Sequence, residues 1–120
     1  MDILFSNGVD ELKIQLPPGP SAPDDWFNAP VQLRIGSLEY GYLGGFQWRD
    51  FHDISRRLDD LLEKGEPLEF DCTERHLRFT VKKHDRLGHF CININIEQSP
   101  TVITTSFVLE YGDVERVISR

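Results

Sequence analysis

Apolar and polar residues alternate with period two over most of this chain. The strongest run sets Phe90, Ile92, Ile94 and Ile96 against Cys91, Asn93, Asn95 and Glu97, which is the pattern of a strand with one buried face. Leu77, Phe79 and Val81 alternate with Arg78, Thr80 and Lys82, and Leu68 and Phe70 with Glu69 and Asp71. Earlier in the chain Leu12, Ile14 and Leu16 alternate with Glu11, Lys13 and Gln15. Val31, Leu33 and Ile35 do so with Gln32 and Arg34, and Leu38, Tyr40 and Tyr42 with Glu39 and Gly41. A further strand is expected over residues 102–111, with Ile103, Phe107, Leu109 and Tyr111 on one face. Between Trp48 and Lys64 the period changes. Trp48, Phe51, Ile54, Leu58, Leu61 and Leu62 fall at helical spacings and predict one long amphipathic helix. Gly65 stands where a left-handed helix terminus belongs, and Pro67 stops continuation.

The turn-forming residues divide these runs. Asn7-Gly8 predicts a two-residue hairpin turn. Five of the seven prolines lie between Pro17 and Pro30, so residues 17–29 are expected as a surface loop. Gly44-Gly45 breaks the strand before the helix. Asp85 to Gly88 is expected as a hairpin turn flanked by His84 and His89, because Asp bonds backbone N–H groups ahead of it and Gly tolerates positive φ. Asp113 is the expected N-cap of a short final helix whose stripe is Val114, Val117 and Ile118. The sum is an α+β domain spanning residues 1–120. It has a mainly antiparallel sheet of about six or seven strands, one long helix packed on one face and a short C-terminal helix.

Charge narrows the partners. A formal net charge of −7 lacks the basic footprint that nucleic acid requires. No apolar run approaches the roughly 18 residues of a membrane span, and residues 1–6 lack the basic and long apolar regions of a secretory signal. Cys72 and Cys91 form no metal-type or disulfide spacing, which points to a reduced cytoplasmic setting. The acids are concentrated. From Asp59 to Glu74 there are seven (Asp59, Asp60, Glu63, Glu66, Glu69, Asp71, Glu74) against Lys64, and from Arg75 to Arg86 five bases against Asp85. One reading is a solvated helix end beside a strand that pairs with it. The other is an acidic patch that steers a basic protein partner.

Catalytic patterns are sparse. No serine sits in a nucleophile elbow, no glycine-rich phosphate loop occurs, and Asp24-Asp25 and Asp59-Asp60 are neighbours that point apart. Cys91 lies mid-strand between apolar residues, and Cys72, at a strand end, lacks an evident base. His84, Asp85 and His89 offer donors for a metal without a recognised ligand spacing, and no cofactor is expected. His52 and His76 are expected at the surface or its boundary. Trp26-Phe27 beside Asp24-Asp25 suits an exposed anchor for a protein partner. The expected partner-binding residues are therefore Trp26, Asp59, Asp60, Glu63, Glu66 and Glu69, on a monomer or a homodimer.

The block Phe51-x-x-Ile54-x-x-x-Leu58-x-x-Leu61, then Leu68, Leu77-x-Phe79 and Asp85-x-x-Gly88-His89-x-x-Ile92-x-Ile94-x-Ile96, resembles the WapI-type immunity proteins. These are small bacterial cytoplasmic proteins associated with contact-delivered polymorphic toxins. The final strand and the turn into Asp113-x-x-x-Val117 are similar to that family's ending, so the resemblance spans residues 31–120. It implies a non-enzymatic protein that binds and neutralises a toxin domain, and it brings no catalytic residue. The other readings are a structural or adaptor binding module and, third, a histidine-based metal protein.

Overall fold

A computed structural model describes residues 1–18 and 22–118. Among these residues eight strands form two four-stranded antiparallel sheets, each a simple meander followed by a helix. The first sheet holds β1 (Asp2–Ser6), β2 (Glu11–Gln15), β3 (Trp26–Ile35) and β4 (Leu38–Gln47). Helix α1 (Ile54–Lys64) leads to β5 (Leu68–Asp71), β6 (Leu77–Lys83), β7 (His89–Gln98) and β8 (Thr101–Glu110), and α2 (Tyr111–Glu115) closes the described chain. The α+β class and the antiparallel pairing agree with the periodicity. The single sheet of about six or seven strands does not. Alternation marks one buried face per strand but is silent on which sheet a strand joins.

An aromatic circuit joins the two sheets. Phe46 of β4 meets Phe51 edge-on at 5.2 Å, Phe51 meets Phe70 of β5 at 5.2 Å, and Phe70 stacks on Phe79 of β6 at 4.8 Å. Phe79 returns to the first sheet by an edge contact with Phe5 of β1 at 5.1 Å. All five rings are buried, and burial of such rings is the main favourable term in a fold of this size.

Four local expectations change. The helix does not run from Trp48. Residues Trp48–Asp50 form a separate 3-10 turn, and α1 starts at Ile54. The Trp48 and Arg49 N–H groups bond Asp25 and Pro23 carbonyls instead, and Asp50 accepts from the Gln47 N–H at 3.0 Å. The far end matches the reading: Gly65 is left-handed at φ +69°, with its N–H on Leu61.

The expected loop over residues 17–29 ends earlier, because β3 begins at Trp26 and pairs with β4 through Gly44 and Gly45. Pro30 is tolerated inside this strand for a geometric reason. β2 pairs with β3 only as far as Val31, so beyond it the missing N–H faces no neighbour. At the first hairpin the loop spans Asn7 to Asp10, not two residues, since the Asn7 side chain accepts from both the Val9 and Asp10 N–H groups. The last helix starts at Tyr111, and Asp113 serves within it as the carboxylate that accepts from the Glu110 N–H at 2.8 Å.

Candidate protein-binding surface

The acidic segment runs from α1 onto β5, an edge strand of the second sheet. Asp59 and Glu63 lie one turn apart on α1 and are exposed, whereas Asp60 is half-buried and pairs with Lys64 at 3.5 Å. Glu66 is exposed in the connection to β5. Glu69 projects from the outer face of β5, and its backbone carbonyl accepts from the Arg57 guanidinium. Among the described residues Asp59, Glu63, Glu66 and Glu69 have no ion-pair partner. The basic stretch that follows neutralises only part of the patch. Arg75 pairs with Asp71 at 3.5 Å, but Arg78 turns to Glu97 at 3.3 Å and Lys83 lies over Gly65.

Two depressions flank these acids. One, of about 560 Å³, follows the outer face of the second sheet past Arg57, Glu69, Arg78, Thr80, Asn93 and Asn95. The Asn95 side-chain oxygen is buried there with no partner among the described residues. The other, of about 330 Å³, lies between α1 and α2 beside Asp59, Leu62, Val114 and Ile118.

Trp26 is exposed, at 54%, but it belongs to the first sheet. Its neighbour Phe27 is half-buried and packs on Trp48 at 4.3 Å. Trp26 is linked to the acidic segment through its cross-strand partner Gln47, whose side chain accepts from the Thr73 hydroxyl at 3.3 Å. Asp59, Asp60 and Glu63 sit on α1, in a different element from Trp26. Asp24, beside Trp26, pairs with Arg49.

The histidines separate into different roles. His84 and His89 face each other through a backbone bond of 2.8 Å, and Gly88 takes φ +86° as the turn requires. His89 Nδ1 donates to Asp85 at 2.7 Å, and the same carboxylate accepts from the Leu87 N–H at 2.8 Å. The His89 bond holds the Asp85 carboxyl below its ordinary value. Among the described residues no three His, Cys, Asp or Glu side chains are placed to hold a metal.

His76, expected near the surface, is buried at 6%. Its Nε2 donates to the Gly45 carbonyl at 2.8 Å, so Nδ1 is the acceptor of the Tyr42 hydroxyl at 2.8 Å. Nothing in the local sequence signals this burial except the Gly44-Gly45 pair, whose missing side chains admit the imidazole. Burial raises the Tyr42 pKa well above its ordinary value and pushes the Cys72 thiol up as well. A raised thiol is the opposite of an activated nucleophile.

The Tyr42 shift has a measurable consequence. A phenol whose folded pKa lies above its unfolded value of about 10 stabilises fully below pH 10 and progressively less as pH rises further. Tyr42→Phe should cost about 1 kcal/mol at neutral pH, from the lost bond to His76. It should also flatten the decline of stability above pH 10. Urea unfolding at pH 7 and above pH 10 checks both, and an unchanged alkaline slope would remove Tyr42 as its source.

No family model matches this sequence, and no curated protein matches it. Among solved structures, the Trypanosoma brucei MRP1/MRP2 crystal structure is similar. Its TM-score is 0.55 at 10% identity, over 98% of this chain and 77% of that one. At that identity the likeness shows the arrangement of strands and helices alone. Among the described residues no helix is long and apolar enough to cross a membrane.

Proposed function

We propose that this chain is a non-catalytic bacterial immunity protein of the WapI type, acting in the cytoplasm by binding and neutralising a cognate polymorphic toxin domain. The resemblance over residues 31–120 supplies the class. The observation that supports a binding surface is the set of exposed, unpaired carboxylates Asp59, Glu63, Glu66 and Glu69. Their common sign on a chain of net charge −7 accelerates encounter with a basic partner. Neutralisation needs about nanomolar affinity, near −12 kcal/mol, which an interface of about 1,600 Å² supplies through a few packed anchors. Trp26 is the candidate anchor at the rim.

The test is co-expression with the toxin domain encoded beside this gene. The chain should protect cells and co-purify with that domain. Reversing Asp59, Glu63, Glu66 and Glu69 to lysine should leave the fold intact, because all four are exposed. It should slow association at least about tenfold at low salt. If the native chain neither binds nor protects, the immunity reading fails. If it binds and the reversed chain binds as fast, the acidic surface is not the contact.

A further inference from the structure

Each open antiparallel sheet leaves two strand edges, and unpaired edge groups invite another strand. Among the described residues, two of the four edges are capped by other segments and a third is capped over half its length. On β1 the Leu4 N–H bonds the Val117 carbonyl at 2.8 Å and Ile3 bridges Ile118. The second half of β4 lies under the β5–β6 loop, with His76 on the Gly45 carbonyl, and its first half carries the charged Glu39. β5 is short, and Arg57 occupies its Glu69 carbonyl.

β8 differs. It runs for ten residues, and no charged side chain occurs from Ser99 to Leu109. Val102 is 66% exposed and Val108 41%. One contact orients the strand: the Asn7 amide donates to the Val108 carbonyl at 3.0 Å, so that carbonyl points away from β7. Backbone groups alternate along a strand, so Val102, Thr104 and Ser106 also present their N–H and C=O groups outward. Among the described residues these groups have no partner.

We propose that β8 pairs antiparallel with β8 of a second copy of this chain, about a two-fold axis through Thr104. In this register Val102 stands opposite Ser106 and Thr104 opposite itself, and every outward group of the three residues is paired. The limits of pairing are set at both ends by the chain. The partner's Val108, its carbonyl already held by Asn7, falls opposite Pro100, which has no N–H to offer. Sliding two residues one way drives the neighbour into the Asn7 side chain. Sliding two the other way places Ser106 opposite Pro100. On one face Val102 lies beside Ser106 and Thr104 beside Thr104. On the other, Ile103 lies beside Thr105 and Thr101 beside Phe107. No charge meets its own sign, and such an isologous contact closes at the dimer. β5 is the opposite edge of the same sheet, so the acidic surface stays open and the dimer does not depend on the proposed function.

Sedimentation of the full chain from micromolar to about 1 mM, with amide exchange at both ends of the range, tests this. The expected result is a mass rising from 13.9 kDa towards twice that value. The Val102, Thr104 and Ser106 amides should slow as it does. Thr104→Lys sets two ammonium groups across the axis, and Thr104→Pro removes the central N–H on an outward position that an edge strand tolerates. Each should weaken the dimer about tenfold or more, with the monomer's unfolding curve little changed. A chain that stays monomeric throughout overturns the proposal, as does a dimer indifferent to both substitutions or protected elsewhere than β8. The same edge occupied only by a strand of another protein is the foreign-partner outcome, and it appears as a monomer in this experiment.

Discussion

Phe79→Ala should lower the unfolding free energy by about 3–5 kcal/mol, a large part of the roughly 5–15 kcal/mol typical of one domain. Phe79 is 2% exposed, stacks on Phe70 within its own sheet and meets Phe5 across the gap between sheets. Its ring is thus shared by both layers. Removing it opens a void that Phe5 and Phe70 cannot both fill, because each is fixed in a strand whose register is paired on at least one side. Phe79→Leu keeps much of the volume and should cost about 1.5 kcal/mol or less. Urea unfolding measures the difference, and an unchanged slope with denaturant would show that stability, not compactness, has changed. A loss below about 1 kcal/mol for the alanine variant would mean that the sheets do not meet at this ring.

The same ring shows what was legible in the sequence. Its burial was: Leu77, Phe79 and Val81 alternate with polar residues, and all three are buried in β6. Its partner in the other layer was not, because Phe5 is distant in sequence and alternation carries no information about pairing between layers. The β7 series and the Asp85–Gly88 turn were legible for local reasons, a sustained period and a residue pair with specific turn chemistry. The start of α1 was not. Trp48 and Phe51 have helical spacing, but the turn containing Trp48 is tied to Asp25 and Pro23 through backbone groups, which no side-chain pattern records. Among the candidate site residues, the exposure of Asp59, Glu63 and Glu69 followed from the helix stripe and the β5 alternation. Trp26 was placed in a loop because prolines surround it. The pairing limit of β2 at Val31, which makes Pro30 harmless in a strand, is a property of the neighbouring strand and not of residues 26–30.

Gly44→Ala should destabilise by about 3 kcal/mol and lower the melting temperature by roughly 10 °C. In isolation a methyl group in a strand would favour the folded state slightly, since glycine loses more backbone freedom. Sterics reverse the sign. A Cβ at this position would stand 2.5 Å from His76 Cε1, 3.0 Å from His76 Nε2 and 3.1 Å from Tyr42 Cε2. The imidazole is not a loose side-chain tip that can swing aside, because both of its nitrogens are bonded, one to Gly45 and one to Tyr42. Displacing it breaks those bonds within a buried aromatic pocket. Gly41→Ala is the control, because its added Cβ would find nothing nearer than 3.7 Å. It should change stability by less than about 1 kcal/mol. The double variant Gly44→Ala with His76→Ala separates sterics from any intrinsic effect of the methyl. Residues in contact are non-additive, so with the ring gone the methyl should cost almost nothing beyond the His76→Ala variant alone. If the two costs simply add, the glycine pair is not there to admit His76. The close approach of the β5–β6 loop to β4 would then need another cause.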